Sequence, residues 1–180
     1  MGRREVILDA AIEVVYHKRM RGLTHRAVDD RAGLPAGATS NVFRTRAALV
    51  QGILERILER ELAIWAHLSA SAATLEDLSA KLTQLIDDLT SEHRSLTAAR
   101  HAVIAEAAID ESMLAVAAAA GTQVIAWAEE QMAALGSRDP RADGRILLAL
   151  VDGLLAEAMA PTDRPLDTRR AVTALLRGLL

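Results

Sequence analysis

Apolar residues return every three or four positions along most of this chain, and nowhere do they alternate over a useful length, as a strand requires. Val6, Ile7, Ala10, Ala11, Val14 and Val15 set the pattern, drawing one stripe along a helix from Arg3 to about Lys18. The composition points the same way. There are 36 Ala and 26 Leu against only 2% aromatics, and those two residues lose least on entering a helix. An all-α fold is expected. With 180 residues, 51% of them hydrophobic, the chain can bury a core and is too apolar for wholesale disorder.

Several classes of function fall away. Without cysteine the chain has no disulfides, thiolate catalysis or thiolate metal sites, which fits a reducing compartment. His93 and His101 stand eight apart with no carboxylate at ligand spacing, so no metal and no cofactor is expected. The least polar window, 113–128, is mostly Ala and contains Gly121, Thr122 and Gln123. It falls short of the ~18 to 20 strongly apolar residues of a membrane span. Met1 to Glu5 leads into a stretch interrupted by Asp9 and Glu13 rather than into an apolar run, so a cytoplasmic location is expected.

The net charge of −3 hides an asymmetry. Residues 1–50 hold nine Lys and Arg against five Asp and Glu, a balance of +4, while the remaining 130 hold twelve against nineteen, or −7. A positive head on an acidic body suits a protein of which one end approaches phosphate; an ordinary charge fluctuation gives the same numbers.

Caps and breakers mark about nine helices. Thr24 opens a second helix at His25 that stops at Ala32-Gly33, and a third is expected from Pro35 to Val42. Arg44-Thr45-Arg46 opens a long fourth helix reaching about Leu68. Beyond a small linker from Ser69, Thr74-Leu75-Glu76-Asp77 caps a fifth that runs to Thr90. A sixth is expected from near Ser95 through Ile109 and a seventh from Ser112 to Leu135. An eighth follows Asp139-Pro140, Pro161 and Pro165 bracket a loop, and Asp167 caps the last.

A capped short helix, a glycine turn and a second short helix make a helix-turn-helix pattern. Small Ala36, Gly37 and Ala38 let the second helix approach a duplex, and Thr39, Ser40 and Asn41 carry groups short enough to read bases or hold phosphate. His25, Arg26, Arg44, Thr45 and Arg46 flank it near helix starts, where the dipole favours an anion. Arg3 and Arg4 are read as solvated terminal residues more readily than as an arm for the minor groove.

Thr24-His25-Arg26-Ala27-Val28, then Arg31-Ala32-Gly33-Leu34, then Gly37 to Phe43 followed by Arg46 and Leu49, resemble the TetR family of bacterial transcriptional regulators in order and spacing. The resemblance covers roughly residues 3–50. It implies an all-α homodimer with a DNA-binding domain at 1–48 and a ligand-binding and dimerisation domain at 49–180. By position it implies that Thr24 and Arg26 contact the backbone or a base edge, that Gly37 to Asn41 lie in the major groove, and that Phe43 packs the small core. Arg46 takes the place of a phosphate-binding Lys. The family's Tyr and His are replaced by Ser40 and Val42, leaving Ser40 or Asn41 to hold phosphate there. The partners it implies are an operator duplex, a small-molecule effector and a second copy of the chain, with repression as the outcome.

In the body, Trp65, His67, His93, Arg100, His101, Met113, Gln123, Trp127 and Met132 stand out among Ala and Leu. Trp65, Arg100, Gln123 and Trp127 are the expected ligand contacts, because in the family the fourth, sixth and seventh helices line the pocket. Leu147, Leu150, Val151, Leu154 and Leu155, with Val172, Leu175, Leu176 and Leu179, form a face wide enough to need covering. A four-helix dimer interface is expected there, with an intramolecular core as the alternative. Rival readings are a helical interaction adaptor and a helical-bundle enzyme. Against the enzyme, no nucleophile elbow, phosphate loop or His-Glu-x-x-His pair is present.

Overall fold

The computed structural model describes residues 2–66, 72–107, 111–160, 163 and 166–180. His67, the side chain of Met113, the start of the linker at Ser69, the prolines at 161 and 165 and the expected helix ends at Leu68 and Ile109 lie outside the described residues. The described residues form α1 (Arg3–Lys18), a short 3₁₀ turn (Met20–Gly22), α2 (His25–Ala32), α3 (Ala38–Val42), α4 (Arg46–Ala66) and α5 (Leu75–Thr90). They continue with α6 (Arg94–Ala107), α7 (Glu111–Ala134), α8 (Pro140–Met159) and α9 (Thr168–Leu179). No strand occurs among them, and none of these helices is long and apolar enough to cross a membrane.

The caps act where the sequence places them. Thr24 accepts from the Ala27 amide, Thr74 from Asp77, Asp139 from Ala142 and Asp167 from Arg170. Gly33, with φ of 65°, ends α2 in the left-handed conformation. The third helix departs from expectation and begins at Ala38, not Pro35. Gly37 adopts φ of 89°, which no helix interior accommodates, so residues 35–37 form the turn instead.

Two compact units result: residues 1–61 with 95–120, and 62–94 with 121–180. The first centres on Ile7, Leu8 and Ile12 of α1, Val28 of α2, Phe43, and Leu49, Ile53, Leu54 and Ile57 of α4, all buried. Gly52 admits the closest approach: a Cβ there would stand 2.7 Å from Phe43 Cε1 and 3.1 Å from Leu8 Cδ2. Arg56 grips Asp9 with Nε and Nη2, each at 3.0 Å, and so ties α4 to α1.

A second polar tie fixes α3 against α2. Asp29 is buried, and its carboxylate accepts from the amides of Gly37 (2.8 Å) and Thr39 (2.7 Å) and from the Thr39 hydroxyl (2.5 Å). The cap that Gly37 has no side chain to provide thus comes from another helix. Burial alone would raise the Asp29 pKa. The bonds from Thr39 and Gly37, helped by the nearby His25, outweigh burial and hold it below the ordinary carboxylate value.

In the second unit α5 packs on α8 and α9, and those two on each other. Leu147, Val151, Leu154, Leu155, Val172 and Leu176, expected at a dimer interface, are buried with Leu78, Leu82, Leu85, Ile86 and Leu89 of α5. Leu150, Leu175 and Leu179 pack against this cluster. The wide apolar face is covered by the chain's own α5. Periodicity reveals that a face must be buried, not what buries it.

Gly52→Ala is expected to lower stability by about 1–3 kcal/mol in urea titrations, since the Phe43 ring must shift. Asp29→Ala is expected to cost about 2–3 kcal/mol at pH 7 by leaving the Gly37 and Thr39 donors without their acceptor. Because the folded pKa is depressed, the Asp29 contribution is complete above the unfolded value of about 3.9 and is lost as the pH falls through the lower folded one. Denaturant titrations at successive pH values should therefore show the difference between wild type and Asp29→Ala shrinking below about pH 4.

Candidate nucleic-acid interface

The Asp29 tie decides which way the short α3 faces. Ala38 and Thr39 were both expected at the groove but are buried, and the Thr39 hydroxyl is engaged with Asp29. At 100° per residue, position 41 lies on the side opposite position 39. Asn41 is accordingly exposed, and its side-chain amide has no polar partner among the described residues. Ser40 is exposed, but its hydroxyl donates back to the Gly37 carbonyl at 3.0 Å. Val42, not expected as a contact, is 39% exposed. Ala36 is exposed in the preceding turn, and Gly37 is half-buried.

The basic side chains divide into free and engaged. Arg26 and Arg44 are exposed and form no ion pair among the described residues. Arg46 pairs through Nη1 with Glu106 of α6 and donates through Nη2 to the Met20 carbonyl at 3.1 Å. Glu106 stands 60 positions away, so no local spacing announces the pair. His25 is turned to internal use: Nε2 donates to the Phe43 carbonyl at 2.7 Å, tying the start of α2 to the end of α3. Thr24 and Thr45 cap α2 and α4 and remain exposed. Arg4 lies within α1, bonds Glu55 at 2.9 Å and covers the Phe43 ring at 5.5 Å, so it forms no extended arm.

The four expected ligand contacts part company. In the second unit, Trp65 and Trp127 meet edge to face, centroids 4.9 Å apart at 81°, beside the apolar cluster. Trp127 Nε1 is buried without a hydrogen-bond partner. Gln123 is exposed, whereas Gln131, which the sequence did not single out, is buried and accepts from the Ala72 amide at 2.9 Å. Arg100 belongs to the first unit, where its Nε stands 3.3 Å from Glu61 in a largely buried pair. Met132 is core, and His93 and His101 are half-buried.

Known proteins resemble the chain at two levels. Residues 73–180 match the family model of the tetracyclin repressor-like C-terminal domain. No curated protein matches. Among solved structures, a transcriptional regulator from Rhodococcus sp. Rha1 superposes with a TM-score of 0.86 at 20% identity, over 98% of this chain and 95% of that one. A TetR family member from Streptomyces coelicolor A3 gives 0.82 at 28% identity, over 100% and 99%. The multidrug binding protein EbrR complexed with proflavin gives 0.68 at 30% identity, over 98% and 99%. With a family model matching more than half of its length and the helix-turn-helix head described above, the chain belongs to the TetR family of transcriptional regulators.

Proposed function

We propose that the chain is a cytoplasmic repressor that leaves its operator when a small molecule binds. Residues 1–48 form the DNA-binding domain, and residues 49–180 receive the ligand and dimerise. The observation that carries the reading is the outward face of α3: Asn41 and Val42 are exposed, and Arg26 and Arg44 are exposed with no ion pair among the described residues. Two such heads in a dimer would meet half-sites about 34 to 36 Å apart, one duplex turn, or a multiple of that.

With the leucines of α8 and α9 engaged in the core, the dimer contact falls to their outer faces. Ala142, Ile146, Ala149, Gly153 and Ala156 of α8, with Ala174 and Gly178 of α9, are exposed and mostly small. A second copy packed there would cover Ile146, which is 45% exposed, and satisfy two-fold symmetry.

The ligand is proposed to be a small, largely apolar molecule received beside the Trp65–Trp127 pair. EbrR has been crystallised with imidazole, ethidium, malachite green and proflavin, so an aromatic guest has precedent in a relative. Arg46 starts α4 and Trp65 lies near its end, so one helix links the phosphate contact to the ligand. A ligand that lowers DNA affinity a hundredfold must prefer the non-binding geometry by about 2.7 kcal/mol.

In this reading Glu106 competes with phosphate for Arg46. Anisotropy titrations of the chain's own upstream DNA at several salt concentrations test it. Arg46→Ala is expected to weaken binding to every sequence and to reduce the salt slope by about one unit per subunit. Glu106→Gln, which frees Arg46, is expected to tighten binding several-fold. An unchanged slope in Arg46→Ala removes Arg46 from the contact, and no binding at any salt favours the interaction adaptor.

A further inference from the structure

The reading surface of α3 is chemically sparse. Its five residues, Ala38 to Val42, include no charged side chain. Two of them are buried and the Ser40 hydroxyl is engaged, which leaves Asn41 as the open polar group and Val42 as the exposed apolar one. We propose that Asn41 reads an A·T pair in each operator half-site while Val42 lies against the methyl group of a neighbouring thymine.

The chemistry selects this pair. A carboxamide offers one acceptor oxygen and one donor nitrogen side by side. On the major-groove edge adenine presents the complement, a donor at N6 and an acceptor at N7. Guanine presents two acceptors there, which suits the paired donors of Arg or Lys, and α3 carries neither. Cytosine presents only a donor, leaving the amide nitrogen of Asn41 without a partner. An exposed valine gains most from the thymine C5-methyl, the apolar group on that edge. Asp29 acts as a positioning residue, since its bonds to Gly37 and Thr39 set the rotation that aims Asn41 outward.

This inference rests on the DNA-binding reading above. Its test is selection of the wild-type chain on duplexes randomised across the half-site, repeated with Asn41→Ala. Wild type is expected to enrich an A·T pair adjoining a thymine. On the enriched duplex Asn41→Ala should bind about tenfold or more weakly and accept any pair at that one position, with the other positions and the salt slope unchanged. The Asn41 side chain has no polar partner among the described residues, so an unchanged melting temperature is expected to accompany this result. Replacing the selected adenine by 7-deazaadenine, which lacks the N7 acceptor, should weaken wild type and leave Asn41→Ala unmoved. Uracil in place of the thymine should weaken wild type and leave Val42→Ala unmoved. If the position sensitive to Asn41 selects G·C, or if Asn41→Ala keeps the wild-type preference throughout, the inference falls and the regulator reading stands. If wild type enriches nothing, both fall.

Discussion

The carboxylate of Asp29 holds α3 in place because a helix of five residues has almost no stability of its own. Such a helix begins with free amides, and Gly37 has no side chain with which to cap them. Asp29 binds two of those amides and the Thr39 hydroxyl from inside α2, so the angle between the two helices and the rotation of the second are set together. The net fall in the Asp29 pKa despite burial indicates that these bonds outweigh the desolvation of the charge. His25, bonded to the Phe43 carbonyl, closes the far end of the same short helix.

The same economy governs the arginines of the first unit. Arg56 and Arg4 serve the fold, by way of Asp9 and Glu55 respectively. Arg26 and Arg44 are exposed with no ion pair among the described residues, and Arg46 lies between the two cases, held by Glu106 yet half-exposed. A guanidinium paired at the surface exchanges partners at little cost, since such pairs contribute only about 0–1 kcal/mol. In the proposed DNA contact, phosphate and the protein's own carboxylate would therefore compete for Arg46 on nearly equal terms.

Local signals in the sequence translated well, because their causes are local. Thr24, Thr74 and Asp167 cap their helices by accepting from the amide three residues ahead, and Gly33 ends one in a conformation other residues resist. Interactions between elements were not legible. Nothing in the adjacent Asp29 and Asp30 of a short polar helix marks one of them as buried, and only the turn at Gly33 to Gly37 brings Asp29 onto Thr39. Gly37 itself, read as the third residue of a helix from Pro35, took the left-handed conformation and moved the helix start to Ala38. The leucines of α8 and α9 announced a buried face, but α5 carried a matching stripe that competed for it. Arg100 and Gln123 were chosen by residue type and by the helix that carries them, and neither reveals that one meets Glu61 while the other faces water.

A head with so few reading groups has a consequence for control. Specific DNA-binding proteins prefer their sites over others by roughly 10³ to 10⁷, and a bidentate contact supplies only about 1–3 kcal/mol of discrimination. In the proposed reading, one Asn and one Val per head would not reach that range alone. Two heads held at a fixed separation add their discrimination, so the preference of a pair is roughly the square of that of one. Selectivity then depends on spacing as much as on side chains. In the proposed dimer a ligand therefore need not touch the reading surface: a change in the distance between heads would be enough to return the molecule from specific to non-specific binding.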